Sequence, residues 1–403
     1  MTARRRSVCL ITSGLEAGQL RLQPWRYLHQ VARQLAVQDH PVNIISDGYP
    51  RLPEHQWLDG VPVYRLRSVS NPWLRPAGTL QKAIQRLNPE VVLWHVGLTS
   101  FLHQRLACPG AVPVVGIFTS PLYDFRQLSR LGWYKLGAGW DLSTIHLLGS
   151  LAPRALLRWS AKRNRQLRGL VVQTRTTQEQ IANLALWPGP VEVIPPAVDE
   201  IWHNFNPNRQ AITRARLGYA PGQKIVVYYG PPAPLRGLPT LIHAFERART
   251  LEPALELLIL CRFQKDKPTA GDAALNRLLA TSTARDHIKL MSGYLPAGSL
   301  VDHIAASDVV ALPFELVPSD APLSPLESGA LGKPLVTTDV ACLPELLNHN
   351  PGYITRPADP DTLAKSLLKA VQEDQGRAPG GNVNRSWADV GQEWSVLLQA
   401  MSA

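Results

Sequence analysis

Short apolar runs alternate with helical repeats along nearly the whole chain. Ser7–Ser13 is a continuous apolar run of the kind buried on both faces of a parallel sheet. A loop with Gly14 and Gly18 follows, and Trp25, Leu28, Val31, Ala32 and Leu35 then recur at helical spacing. Further strands are predicted over 42–46, 63–66, 91–94, 112–118, 169–173 and 191–194, with helices over 80–87 and 177–185. The texture changes at Pro195–Asn208, where Pro195, Pro196 and Pro207 with Asn204, Asn206 and Asn208 mark a linker. The rhythm then restarts, with strands over 225–229, 255–260, 288–291, 309–312 and 334–337 and helices over 238–250, 272–281 and 300–306. A last helical pattern, Arg385–Met401, puts Trp387, Val390, Trp394, Leu397 and Leu398 on one face. This alternation predicts an α/β protein with two parallel sheets. The boundary falls near Val198, giving domains over 1–198 and 199–384 with a cleft between them, and 385–403 lies beyond the second domain's last strand.

Composition adds limits. With 45% hydrophobic and 18% charged residues among 403, the chain has material for buried cores, and disorder is excluded as its main state. No apolar run reaches the roughly 18 residues of a membrane span, since Pro153 and Arg154 interrupt the greasy stretch His146–Leu157. Arg4, Arg5 and Arg6 precede only one short strand-like run, so no signal peptide is expected. Four cysteines without CxxC spacing read as reduced core residues of a cytoplasmic protein.

The net charge of +11 sits in one half: residues 1–200 carry 23 Lys/Arg against 12 Asp/Glu, and the rest carries 19 of each. Within it, Arg126–Arg168 holds nine basic residues, the single acid Asp141, and Trp133, Trp140 and Trp159. Such a patch attracts an anionic lipid surface, a nucleic acid or an acidic substrate. The bland alternative is a solvated face of an Arg-rich protein. No recognised nucleic-acid module accompanies the patch, so nucleic acid is not an expected partner.

Several familiar signatures are missing. There is no Walker A loop, GxSxG or HExxH, and no metal-ligand spacing. Gly137 and Gly139 start an incomplete GxGxxG, and Ser366–Lys369 lies inside a periodic helix. Three places remain. Ile225–Gly237 reads as a buried strand ending in Gly230, a Pro-rich turn, and Arg236 at a helix start, which suits a phosphate as well as it suits a plain rigid turn. In Val309–Thr338 a strand runs into a loop with Asp320, and a helix starting near Pro325–Leu326 places Glu327 in its first turn. Ser13–Gln19 lies at the carboxyl end of the first strand, where ligands bind in open α/β sheets.

Five phrases in order carry a resemblance. VEVIPPAVDEIWHNF (Val191–Phe205), YYGPPAPLRG, MSGYLPAGSLVDHIAASDVVALPF (Met291–Phe314), APLSPLESGALGKPLVTTDVACLPELL and PGYITRPADPDTLAKSLLKAV (Pro351–Val371) resemble, in turn, the linker, phosphate-turn, nucleobase, paired-Glu and closing segments of the retaining glycosyltransferases of family 4. The resemblance implies the two-domain, Rossmann-like GT-B fold, with the terminal helix crossing back to the first domain. It implies a hexosyltransferase that uses a nucleotide diphosphate sugar and no metal. Arg236 stands where the family's Lys contacts the donor diphosphate, next to the strand-ending Gly230. Leu323 and Ser324 match its backbone donors, Glu327 matches the ribose-holding Glu, and Gly293, Tyr294 and Leu295 match the nucleobase segment. Gly18 falls near the first domain's phosphate-facing glycine loop.

The chain also departs from the pattern. Ser319 occupies the first Glu of the pair, which leaves Asp320 as the substitute sugar-contacting carboxylate. Pro231 replaces the family's Arg, and Gly18–Gln19 its glycine pair. Phe118 and Thr119 stand where a His is usual, so His95 becomes the strand-end histidine. The acceptor is expected at the basic first domain, lipid-linked or a polysaccharide of the cell envelope. The basic patch then implies peripheral attachment at the membrane's inner face. Two other readings stay open: a non-catalytic nucleotide-sugar binder or partner subunit, and a nucleotide-sugar epimerase of the same architecture.

Overall fold

A computed structural model describes residues 5–69, 77–97, 112–123, 127–128, 166–261, 270–347, 351–373 and 385–401. The first sheet contains β1 (Val8–Ile11), β2 (Val42–Asp47), β3 (His55–Leu58), β4 (Val61–Leu66), β5 (Val91–Val96), β6 (Val114–Phe118), β7 (Leu167–Val172) and β8 (Val191–Val193). Its order is β3-β4-β2-β1-β5-β6-β7-β8. Only the β3–β4 pair is antiparallel. The second sheet contains β9 (Lys224–Gly230), β10 (Leu255–Cys261), β11 (Ile288–Ser292), β12 (Val309–Leu312), β13 (Leu335–Thr338) and β14 (Gly352–Thr355). It is wholly parallel, in the order β11-β10-β9-β12-β13-β14.

The predicted α/β alternation therefore yields two parallel-sheet domains. Each sheet reverses its direction of growth once, between β1 and β5 in the first and between β9 and β12 in the second. The carboxyl ends of strands beside such a switch point leave a crevice for a ligand. Ser13 and His95 lie at one of these points, and Gly230 and Phe314 at the other.

The stretch 195–208 is folded, not a loose linker. It holds the short helix Glu200–His203, and the helix Asn208–Arg216 begins at its end. Ile194 and Ala197 pack in the first domain's core, while Val198 and Trp202 pack in the second's. The terminal helix Trp387–Ala400 starts with a capping box between Ser386 and Asp389. It returns to the first domain and lies on the helix Trp25–Val37, bringing Trp387, Val390, Trp394 and Leu398 into that core. A Cβ on Gly391 would lie 2.5 Å from Gln34 Cβ, so glycine permits this close approach. Trp394 Nε1 donates to the Tyr27 hydroxyl (3.1 Å), which donates to the Ile194 carbonyl (2.8 Å). The three segments are thus tied by one buried chain of hydrogen bonds.

Candidate active site

The second domain's half of the site grows from the end of β9. Gly230 takes φ +141, and a Cβ there would lie 2.6 Å from Arg236 Nη1. The absent side chain is what lets the guanidinium fold back against the strand end. Arg236 ends the single turn Pro234–Arg236, and its guanidinium carbon sits 5.2 Å from the centre of the buried Phe314 ring. A cation held by backbone and ring is fixed in place rather than swinging in solvent.

Glu327 approaches from the other side. Its helix runs Leu323–Ala330 and begins two residues earlier than the sequence suggested. Pro325 is tolerated because the first-turn N–H groups have no intrahelical acceptor anyway. Glu327 therefore lies in the second turn, too far in to be an ordinary first-turn acid. It lies at Tyr229, whose hydroxyl donates to the Ser324 carbonyl at 2.5 Å. Burial first, and then the Glu327 charge and hydrogen bond, hold the Tyr229 hydroxyl well above its ordinary pKa of 10.0, while Arg236 pulls it down. Arg236 and Glu327 thus act on one tyrosine at one strand end.

Next to Tyr229 lies a helix start with no side-chain cap among the described residues. Pro322 occupies the N-cap position and supplies no side-chain acceptor. The amides of Leu323 and Ser324 are the first two of this helix, where backbone N–H groups and the helix dipole favour an anion. Gly293 follows β11 at φ +118 with open space where a Cβ would be. Tyr294 beside it is 62% exposed, and Arg21 of the first domain stacks across it at 5.5 Å. Leu295 packs on the second core.

The first domain contributes the ends of β1, β5, β6 and β7. His95 ends up between two threonines, with Nδ1 3.1 Å from Thr12 Oγ1 and Nε2 2.8 Å from Thr119 Oγ1. Burial lowers its pKa to about 4, so the ring is neutral at physiological pH. Gly18 is exposed in the turn Ala17–Gln19, and a Cβ there would meet nothing. The glycine that this loop needs is Gly14, at φ +71, whose N–H donates to Asp47 Oδ1 at 2.7 Å.

Asp320 calls for a correction. Its carboxylate turns into the first domain and does not line an open sugar site. It is fully buried. It accepts from Gln173 N–H (2.6 Å), Thr174 Oγ1 (2.6 Å) and Thr177 Oγ1 (2.5 Å). The neighbouring Ala321 is held on both sides, since its N–H donates to Gln173 Oε1 and its carbonyl accepts from Gln23 Nε2, both at 3.2 Å. Sequence reasoning missed Tyr229, Thr12, Gln23, Gln173 and Glu345. The doubled tyrosine before Gly230 was the one visible hint, because the second of two adjacent strand tyrosines meets a different surface from the first. Among the described residues no cluster of His, Cys, Asp or Glu has metal-holding geometry. Of the basic stretch Arg126–Arg168, only 127–128 and 166–168 belong to the described residues, so the patch lies almost wholly outside them.

The chain matches known families over both domains. The family model described as Glycosyltransferase Family 4 covers residues 25–201, and that described as Glycosyl transferases group 1 covers 223–373. An uncharacterized glycosyltransferase of Methanocaldococcus jannaschii is 23% identical over 358 residues, 85% of this chain and 83% of that one. The D-inositol 3-phosphate glycosyltransferase of Segniliparus rotundus is 28% identical over 160 residues, 39% of this chain and 33% of that one. The chain spans 33% of that glycosyltransferase's length and 50% of that of a phosphatidylinositol monomannoside mannosyltransferase of Corynebacterium glutamicum. Among solved structures, sucrose-phosphate synthase from Thermosynechococcus elongatus superposes with a TM-score of 0.72 at 15% identity, covering 99% of each chain. Anabaena HepE in complex with UDP and glucose gives 0.65 at 16% identity, covering 98% of this chain and 100% of that one. With a family model matched on each domain and the same architecture in these structures, the chain belongs to the family 4, group 1 glycosyltransferases of GT-B fold.

Proposed function

We propose that the protein transfers a hexose from a nucleoside diphosphate sugar to a hydroxyl acceptor with retention of configuration. The carrying observation is the Arg236 guanidinium pinned at the end of β9, while Tyr229 of that strand donates to the Ser324 carbonyl at the start of the helix that carries Glu327. Arg236 and the Leu323 and Ser324 amides offset the charge that develops on the leaving diphosphate. Glu327 accepts hydrogen bonds from the ribose hydroxyls. Gly293, Tyr294 and Leu295 line the base. His95, neutral and with both ring nitrogens engaged by Thr12 and Thr119, orients those two hydroxyls at the strand ends and brings no charge. The protein's own cations and amides do the work that a metal does elsewhere, so the reaction needs none.

The acceptor is a lipid-linked sugar or a growing envelope polysaccharide, met at the first domain. Related proteins named for inositol phosphate and phosphatidylinositol mannoside substrates favour a polyol headgroup. No described helix is long and apolar enough to cross a membrane, and attachment is by charge. A panel of UDP-, GDP- and ADP-sugars, with the products' anomeric configuration read by NMR, tests the activity. Inversion, or epimerisation without transfer, would refute it. Sedimentation with anionic and neutral vesicles tests the attachment, which should require anionic lipid and be lost toward about 0.5 M salt.

A further inference from the structure

We propose that Asp320 and Glu345 are positioning residues: together they clamp the start of a first-domain helix and thereby set, from the first domain, where the anion-binding helix start at Leu323 stands. The clamped helix is Arg175–Asn183. Glu345 Oε1 accepts from Arg175 N–H at 2.9 Å, and Oε2 accepts from Thr176 N–H at 2.8 Å and from Thr176 Oγ1 at 2.7 Å. Asp320 takes Gln173 N–H and the hydroxyls of Thr174 and Thr177. Thr174 caps the helix internally, accepting from Thr177 N–H at 3.2 Å. The amides of 175, 176 and 177 are therefore all satisfied, two of them by a carboxylate from the other domain. Acids belong at this end of a helix dipole.

The two helix starts are treated in opposite ways. The one at Arg175 is closed by the Glu345 carboxylate and Thr174, and the one at Leu323 has no side-chain cap among the described residues. They are also mechanically close, for Asp320 lies three residues before Leu323. The segment leading there is gripped by the first domain at further points. Asp320 N–H donates to the Thr119 carbonyl at 2.7 Å. Tyr123 hydroxyl donates to the Val317 carbonyl at 3.1 Å and accepts from its N–H at 2.8 Å. Thr119 also holds His95. One residue therefore joins the neutral imidazole to the backbone that carries the anion site. A displacement of the first domain moves Asp320 and, through Pro322, the Leu323 amides. Nucleotide binding needs only the second domain's groups, while sugar transfer needs both halves in register.

The transfer readout rests on the proposed function; the scattering readout does not. The decisive variants are Thr177→Val, which deletes one donor from the first domain and leaves the Thr174 cap intact, and Glu345→Gln, which turns an amide NH2 against a backbone N–H. Their double variant should lower kcat by about tenfold or more, as misplaced reacting groups do. UDP and GDP affinity by calorimetry should change by less than about threefold, the pattern of lost positioning rather than lost binding. Small-angle scattering should show a larger radius of gyration than the parent. Thr177→Ser, which keeps the hydroxyl, should behave as the parent. An unchanged radius of gyration in the double variant overturns the clamp. So does a kcat loss matched by an equal loss of nucleotide affinity. If the double variant does not fold, the same comparison on Thr177→Val alone decides. Should the parent transfer no sugar from any donor, the proposed function falls, and the scattering result still decides the clamp.

Discussion

Removing the Arg236 guanidinium is the most direct test of the donor site. The side chain is pinned by the open face of Gly230 and by the Phe314 ring 5.2 Å away. Its charge therefore stands at a defined point at the end of β9. A hydrogen bond to a charged partner is worth about 1.5–3 kcal/mol. At about 1.4 kcal/mol per tenfold, Arg236→Ala should weaken nucleoside diphosphate binding by roughly 10- to 150-fold. The nucleoside lacks the diphosphate and should lose almost nothing. Calorimetric titration of both ligands against parent and variant gives the difference directly. Loss of the ring contact costs about 0.5–1 kcal/mol of stability, which a melting curve separates from binding. Arg236→Lys keeps the charge and should fall between the two, because an ammonium lacks the planar face that lies over Phe314. Equal losses for diphosphate and nucleoside would show that Arg236 only supports the turn, and the assignment of the anion site would fall with it.

Glu327→Ala should lower transfer by at least about tenfold through the lost ribose contact, and unchanged donor KM and kcat would remove Glu327 from the site. His95 has its pKa lowered by burial from 6.5 to about 4. Its neutral form contributes stability that is full above pH 6.5 and lost as pH falls toward 4, about 3 kcal/mol in all. Against His95→Gln, the parent's melting temperature should therefore drop over that window, and parallel curves would refute the burial argument. Asp320 behaves in the opposite sense: burial raises its pKa from 3.8 to about 6, Glu345 adds to the rise, and Gln173, Thr174 and Thr177 oppose it. Its contribution is fullest below pH 3.8 and declines as pH rises through about 6. Relative to Asp320→Ala, the parent should lose melting temperature over that rise, and a gain would mean that the three donors outweigh desolvation.

Most of the fold was legible because parallel strands buried on both faces are continuous apolar runs, as in Ile225–Tyr229 and Leu255–Leu260. The two strands that escaped are edges. β3, His55–Leu58, alternates too briefly, and its Trp57 is 62% exposed. β14 opens with Gly352, chosen for approach: a Cβ there would lie 2.1 Å from the Leu335 carbonyl oxygen. Neither carries the apolar run by which an inner strand declares itself. Arg236 and Glu327 were legible because each belongs to a local phrase, a strand, a turn and a helix start. The partners of Asp320 were not, because they lie 143 to 147 residues away and no local spacing encodes them.

The same distance explains how the missing first Glu of the family pattern is accommodated. Ser319 is buried, and the acid next to it faces away from the anion site. On the first-domain side, the strand ends present Thr12, His95, Thr119 and Gln173, all uncharged once burial has kept the imidazole neutral. A neutral wall cannot hold a diphosphate against water, since desolvating the anion without a counter-charge costs several kcal/mol. Under the proposed function, the charge of the donor diphosphate falls to Arg236 and the helix start of the second domain rather than to these described strand ends. What these strand ends can add is orientation: hydroxyl and amide groups, two of the hydroxyls held by the His95 ring, with directional hydrogen bonds and little field. Charge on one side and direction on the other work together only if the two sides keep a fixed register. The carboxylates of Asp320, buried, and Glu345, half-buried, sit between the domains where that register is set.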